Sequence, residues 1–444
     1  MTVFASTKPP SRVDLEPAPD GGKRASRILI YGINYAPEPI GVGKYTGELG
    51  AFLVGRGHQV DVITAVPHYP GWRLRGGYRN CYQKDIVGGA KVIRCPIWLG
   101  QHVHGIWRLI APLSFAITSG LVAAWQILVC RPDTVLCVEP TLFSAPIALF
   151  VARLVGARTV LHVQDLEVDA AFATGHLRDG FAAKFARYFE KVTLGGFDAV
   201  VTISGRMRDK LCSKGIAKNK LSIVRNWVDL SKFQCSATAV DYRAEFGLAE
   251  QDFVVLYSGN LGVKQGLNVL LDAARALKQI PEIKFVIAGD GPEKDRLVEQ
   301  YSDLTNVLFV PLQPEYRLSA FLQFPNIHVL PQERGAADLV LPSKLGGMLA
   351  SQKPCIVMAD PGTELHEFLG ESAHIVSPGD ATELAAAIDA EMISSSRSQA
   401  KSRESRLNLL DAIQNLPAFE AILQQRGHVQ ASRLMNRPEP ISPR

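Results

Sequence analysis

The sequence predicts two doubly wound α/β domains in tandem, and three observations carry that reading. At 444 residues the chain is too long for one core of ordinary size, and domains of roughly 100–200 residues imply two or three. Short β-branched runs alternate with stretches of helical period, the mark of parallel βαβ units. The alternation breaks once, at Ile223–Gln234 and the polar stretch to Thr238, and then restarts. The boundaries that follow are a disordered leader at 1–26, an N-terminal domain at 27–225, a linker at 226–240 and a C-terminal domain at 241–410. A helix at 411–428 that can cross back to the N-terminal domain and a disordered tail at 429–444 complete the chain.

In the first half the strands fall at Arg27–Ile33, His58–Thr64, Ala90–Cys95, Asp133–Val138, Arg158–Val163 and Asp198–Ile203. In the second they fall at Asp252–Asn260, Lys284–Asp290, Asn306–Leu312, Asn326–Pro331 and Lys353–Asp360. Ligands of such sheets bind beyond the carboxyl ends of the strands, in a cleft, so the loops there are where chemistry is sought.

Composition narrows the setting. Hydrophobic residues make up 47% and charged residues 20%, which describes an ordered globular protein. The net charge is +5, with basic residues scattered rather than interleaved with aromatics, so nucleic acid is not indicated. Seven cysteines without a C-x-x-C pair speak for a reducing compartment and against a disulfide or zinc framework. His102 and His104 lie close together with no further ligand pattern, and read as a loop pair. Residues 1–26 lack the apolar core of a signal peptide. The stretch Leu109–Cys130 is uncharged and just long enough to span a membrane. Its Pro112, Ser114, Thr118, Ser119, Gly120 and Gln126, and its place between strands, favour a helix packed on a sheet and partly touching lipid.

The first strand runs into Gly41-Val42-Gly43-Lys44, which invites comparison with a nucleotide triphosphate loop. That reading fails, because Glu38 stands where the first glycine belongs and Tyr45 where the magnesium-binding hydroxyl belongs. Pro37 and Pro39 also remove N–H donors. What survives is a strand, a Gly-rich turn and a helix whose N-terminus can face an anion, or else glycines that merely permit a tight connection. After the second strand come His68, Tyr69 and Trp72, a cluster able to stack on a sugar or lipid, or a Pro-rich surface loop. After the fifth come His162, Asp165, Glu167 and Asp169, with Asp165 near a helix start.

In the second half, Asn260 and Lys264 sit in a Gly-rich turn before a helix, a pairing suited to a diphosphate. Gly289 and Gly291 repeat the strand-to-helix pattern, where glycine lets a backbone or ligand approach closely. Pro342-Ser343-Lys344 marks another helix start, with Ser343 either an N-cap or a phosphate contact. Leu312 closes the third strand of this half, and joins the donor-side candidates.

Taken together, Tyr35–Trp72 (YAPEPIGVGKYTGELGAFLVGRGHQVDVITAVPHYPGW), Leu161–Phe172 (LHVQDLEVDAAF), Arg225–Asp229 (RNWVD), Gly259–Leu267 (GNLGVKQGL) and Leu341–Pro354 (LPSKLGGMLASQKP) make a combination more specific than any one motif. In that order the chain resembles the retaining nucleotide-sugar glycosyltransferases of family 4, with the GT-B fold of two Rossmann-like domains facing across a cleft. The nearest subgroup is the colanic-acid and exopolysaccharide type, and the resemblance covers about Arg27 to Gln425. It implies transfer of a sugar from a nucleoside diphosphate to an acceptor hydroxyl, with no divalent metal or other cofactor. Lys264, with Asn260 where relatives often carry arginine, would stabilise the departing phosphate. Gly41, Gly43, Gly289, Leu312, Pro342, Ser343 and Lys344 would line the donor, and Asp165 with His162 the reacting centre, while His68, Tyr69 and Trp72 would meet the acceptor. The acceptor is expected to be a polyprenyl-linked saccharide at the cytoplasmic face of the inner membrane. Peripheral contact would come from the Leu109–Cys130 segment with Arg108 and Arg131, and from Arg73, Arg75 and Arg79.

One departure stands out. Family members commonly carry two glutamates separated by seven residues, and here those places read Leu339 and Gly347, with Asp338 one position away. This leaves the donor's base and sugar open. Rival readings are a sugar-nucleotide 2-epimerase of related fold and a non-catalytic polysaccharide-assembly protein.

Overall fold

The computed structural model describes residues 25–69, 71–100, 107–140, 142–166, 181–234, 240–335, 339–393 and 400–425. The leader to residue 24, the pair His102 and His104, the carboxylates Glu167 and Asp169, part of the linker, Asp338 and the tail from 426 lie outside them. The chain divides into two compact units. One comprises Met1–Ile203, Arg208–Val224 and Leu416–Arg444, the other Ser204–Met207 and Arg225–Asn415.

The first unit is built on β1 (Arg27–Gly32), α1 (Gly41–Gly55), β2 (Gln59–Ala65), β3 (Gln83–Val87), β4 (Ala90–Cys95), α2 (Trp107–Cys130), β5 (Thr134–Glu139), α3 (Ala145–Val155), β6 (Arg158–Val163), α4 (Phe181–Gly195), β7 (Ala199–Thr202), α5 (Gly205–Ser213) and β8 (Leu221–Ile223). Its sheet runs β3-β4-β2-β1-β5-β6-β7-β8. Every neighbour pair is parallel except the β3–β4 edge hairpin. The central strands are mostly apolar and buried because helices cover a parallel sheet on both faces. All of Thr134–Glu139 is buried, in register with β1 through Ile30 and Leu136.

The second unit continues with β9 (Phe253–Ser258), α6 (Leu267–Ala276), β10 (Ile283–Ala288), α7 (Lys294–Gln300), β11 (Val307–Val310), α8 (Glu315–Gln323), β12 (Ile327–Leu330), α9 (Leu345–Ala350), β13 (Cys355–Met358), α10 (Glu364–Leu369), β14 (His374–Val376), α11 (Ala381–Ile393) and α12 (Ala400–Asn408), after which α13 (Ala412–Gln424) ends the described chain. Its sheet, β11-β10-β9-β12-β13-β14, is parallel throughout. The chain order reverses at β1 between β2 and β5, and again at β9 between β10 and β12. Such switch points open a crevice beyond the strand ends.

Every strand expected from the alternation is present, and β3, β8 and β14 are additions. The last helix belongs to the first unit from Leu416 onward. Leu416, Phe419 and Leu423 are buried there, and the Leu423 carbonyl accepts a 2.9 Å hydrogen bond from the Thr134 hydroxyl. Glu420, itself buried, meets the His58 ring at 3.0 Å and the Arg56 guanidinium at 3.4 Å.

Candidate functional site

In the second unit the loops after β9 and β10 lock together, and glycine is what allows it. A Cβ on Gly289 would fall 2.0 Å from the Gly259 carbonyl oxygen, and one on Gly291 would fall 2.4 Å from that of Leu261. The Leu261 N–H donates to the Asp290 carbonyl at 2.9 Å. Gly289 and Gly291 thus admit the neighbouring backbone.

Lys344 closes over this junction. Its chain occupies the space where a Gly259 Cβ would stand, 2.5 Å from Cε, and Gly259 has φ +153°. Its ammonium lies 4.2 Å from the centre of the Tyr257 ring and donates to the Tyr257 hydroxyl at 2.6 Å, which in turn donates to the Asn260 carbonyl at 2.6 Å. Burial alone pulls the lysine down from 10.5 to about 8. Among the described residues no carboxylate lies within 4 Å of it. The lysine is thus a half-buried cation held by an aromatic face and a hydroxyl.

The remaining donor-side candidates gather around the same strand ends. Lys264 is exposed, in a short 3-10 turn (Val263–Gln265) ahead of α6, and its carbonyl accepts from the Glu333 N–H at 3.2 Å. The helix itself opens on Gly266 (φ +61°) without a side-chain cap. Lysine therefore stands before the helix rather than on its first turn, because Gly266 alone can take the left-handed bend. Asn260 and Leu312 are exposed in the loops after β9 and β11. Ser343 is exposed and is not the N-cap of α9: Lys344 holds that place, with helical backbone and no side-chain cap, and the Pro342 carbonyl accepts from the Leu345 N–H at 3.0 Å. At Gly347, where the resemblance leads one to expect glutamate, a Cβ would come 2.9 Å from Leu322 of α8.

In the first unit the glycine loop is packed by protein. Gly41 (φ +67°) leaves room for Tyr69, whose ring would lie 3.2 Å from an added Cβ, and Gly43 would put one 2.4 Å from a Glu38 carboxylate oxygen. Glu38 is buried and organises the neighbourhood. One oxygen accepts the N–H groups of His68 (3.1 Å) and Tyr69 (3.0 Å), and the other accepts from the Asn34 amide at 2.9 Å. The His68 ring lies 2.9 Å from the Val66 carbonyl through Nδ1, which fixes that nitrogen as the protonated one, and 5.6 Å from Trp72. The Tyr69 hydroxyl is pushed above its usual value by burial, then by the Glu38 and Asp165 charges. Asp165 is exposed, two residues past β6, and accepts from the Leu166 N–H at 2.8 Å.

His162 does not join that cluster. It lies within β6, fully covered, with its ring 4.8 Å from Phe419 and edge-on. Burial holds it at about 3, so the imidazole is neutral. Asp165 lies in the loop beyond the strand, whereas His162 is held within it. Glu38 and Tyr257 are the members that sequence reasoning missed as site residues: their partners lie 30 and 87 residues away.

The chain matches the Glycosyl transferase 4-like domain over residues 41–227 and the Glycosyl transferases group 1 model over residues 240–406. The chain belongs to the group 1 glycosyltransferases. A relative, the putative colanic acid biosynthesis glycosyl transferase WcaI of Escherichia coli K12, is 42% identical over 350 residues, covering 76% of this transferase and 84% of that protein. Among solved structures, sucrose-phosphate synthase of Thermosynechococcus elongatus superposes at a TM-score of 0.65 and 18% identity, over 93% of this chain and all of that one. Anabaena HepE in complex with UDP gives 0.62 and 14%, over 91% of this chain and all of that one. These neighbours have the GT-B architecture that the motifs led one to expect, two parallel-sheet α/β domains in one transferase.

Proposed function

We propose that this glycosyltransferase moves a sugar, with retention of anomeric configuration, from a nucleoside-diphosphate sugar to a hydroxyl of a lipid-linked saccharide in the building of an exopolysaccharide. The observation that carries the donor half is Lys344, an ammonium with no carboxylate partner among the described residues, at the β9–β10 strand ends. A diphosphate supplies the missing counter-charge, and Lys264 and the uncapped N-terminus of α6 add to the positive field. The sugar–phosphate C–O bond breaks as the acceptor oxygen bonds the same face of the anomeric carbon. The departing phosphate oxygen takes the acceptor proton, giving a nucleoside diphosphate and a glycoside. Such charge stabilisation needs no metal when lysines and backbone N–H groups face the leaving group. On the acceptor side, Tyr69 and Trp72 would meet the acceptor, with His68 buried behind Trp72 and the backbone of His68 and Tyr69 held by Glu38.

Resemblance to a colanic-acid transferase supports the polysaccharide setting, and HepE's complex with UDP-glucose supports a donor of this chemical class. A polyprenyl-linked acceptor and a cytosolic donor meet only at the cytoplasmic face of the membrane, which makes the enzyme a peripheral one. A panel of nucleotide sugars tested by thermal shift in EDTA identifies the donor, since ligand binding stabilises the native state by mass action. One donor is expected to raise the melting temperature, and to release its nucleoside diphosphate when acceptor is added. Absence of any shift or release across the panel would count against the proposal.

A further inference from the structure

From Ile110 to Cys130 the solvent-facing side of α2 carries no charge. Leu113, Ile117, Leu121, Trp125 and Val129 recur at every fourth residue, and the last four are between 59% and 78% exposed. At 1.5 Å per residue the stripe is about 24 Å long. The apolar face continues sideways. Gly120 of α2 faces Ile147 of α3, whose outer residues Phe150 and Leu154 are about two-thirds exposed, at 64% and 65%. Phe143, just before α3, stacks on Phe189 of α4 at 5.9 Å, and α4 adds exposed Tyr188 and Val192. Scattered exposed leucines mean nothing, but apolar patches spread over several elements mark an interaction site.

We propose that this α2–α3–α4 face lies flat in the headgroup region of an anionic lipid leaflet, inserted in plane rather than spanning; it deepens the membrane reading above and rests on it. Two observations select this occupant. First, α2 is fixed in the protein along its other side. Phe115, Ser119, Ala123 and Ile127 are fully buried, and Ser119 lies 2.7 Å from the Tyr31 hydroxyl of β1. The Thr118 hydroxyl donates to the Pro96 carbonyl at 2.7 Å, and the Tyr82 hydroxyl donates to the Thr118 carbonyl at 2.9 Å. A spanning helix would have to leave those partners. Second, among the described residues the exposed charges on and just after these helices are mainly basic, Arg131 after α2, Arg153 on α3, and Lys184, Arg187 and Lys191 on α4, against Asp133, whose carboxylate accepts the Arg27 N–H at 2.8 Å. The acid of α4, Glu190, is buried against Lys214 at 2.6 Å. Amphipathic surfaces with an apolar centre and a basic border bind anionic bilayers at the interface.

The full chain is mixed with phosphatidylglycerol vesicles and with phosphatidylcholine vesicles, and sedimented. It is expected to partition onto the anionic vesicles, to come off in alkaline carbonate, and to lose at least tenfold in partition when Ile117 and Trp125 are both changed to Ser. Acyl chains carrying bromine should quench tryptophan emission in the wild type and much less in Trp125→Phe, which keeps the bulk of the face. Partition unaffected by the double change would overturn the proposal. So would resistance to carbonate, which means a span, and so would a concentration-dependent dimer abolished by the double change with no vesicle binding. Donor-dependent thermal shift of the same variants is read in parallel. Its retention alongside lost partition isolates the membrane face, whereas its absence in the wild type speaks against the transferase reading alone.

Discussion

Burying the Lys344 ammonium against Tyr257, with no carboxylate partner among the described residues, makes it costly in the unliganded fold. Its folded-state value of about 8 lies below the ordinary 10.5 because of burial. Below pH 8 both folded and unfolded chains hold the proton, and the full penalty is present. Between pH 8 and 10.5 the folded protein has released it while the unfolded chain still binds it, so the penalty fades as pH rises. The size is on the order of 2–3 kcal/mol. Lys344→Met, which keeps the stem but not the charge, is therefore expected to melt higher than the wild type at pH 7, with the difference closing by pH 10. Thermal denaturation at several pH values reads this directly, and a mutant that melts lower at pH 7 would mean that the Tyr257 contact outweighs desolvation. Donor-dependent stabilisation should vanish in the same variant, a stability gain at the expense of function. Gly289 was legible in the sequence because it follows a strand, and Lys344 because it marks a helix start. The tyrosine that holds Lys344 was not, since Tyr257 reads as one more apolar strand residue.

Helix α1 shows how packing overrides propensity at the scale of an element. Gly43, Gly47 and Gly50 fall on one face, and the loop from Tyr35 to Glu38 lies against it: added Cβ atoms would meet Glu38 at 2.4 Å, Ala36 at 2.5 Å and the Tyr35 hydroxyl at 2.3 Å. Alanine inside a helix normally gains about 1 kcal/mol over glycine. At Gly47 the obstacle includes the Ala36 backbone nitrogen at 3.2 Å, which cannot rotate away. Gly47→Ala is thus expected to lose about 1–3 kcal/mol by overpacking, measured as a lower urea midpoint at unchanged slope; a higher midpoint would show that the loop yields. Helical period announced α1, but nothing local in the sequence says that its glycines serve a loop. Strands were read where both faces are apolar. The edge strand β3 escaped because Gln83–Val87 alternates half-buried and exposed residues, with Asp85 reaching Arg94 of β4. Strands β8 and β14 escaped because three residues carry no period.

At the scale of the whole molecule, the last helix lies far along the chain from the sheet it completes. Phe419 fills the core of the first unit beside His162, and Glu420 binds His58 across 362 residues of sequence. A contact of that separation has no local signature, so the sequence could suggest a returning helix but not what it covers. Phe419→Ala removes a fully buried ring, at a cost of about 3–5 kcal/mol. Because the ring belongs to one of two units, scanning calorimetry is expected to show the transition of the first unit moving down while that of the second stays in place. The same change admits water beside His162, whose value of about 3 is set by desolvation alone. Its imidazole should then titrate closer to 6.5, seen as a proton-linked NMR shift between pH 4 and 7 that the wild type lacks. The linkage follows in sign: in the wild type the unfolded chain takes up a proton at His162 below pH 6.5 and the folded protein does not. Stability at this residue therefore falls as pH drops from 6.5 toward 3, and in Phe419→Ala that acid sensitivity should shrink. An unchanged acid dependence would place the histidine's burial elsewhere than under this ring.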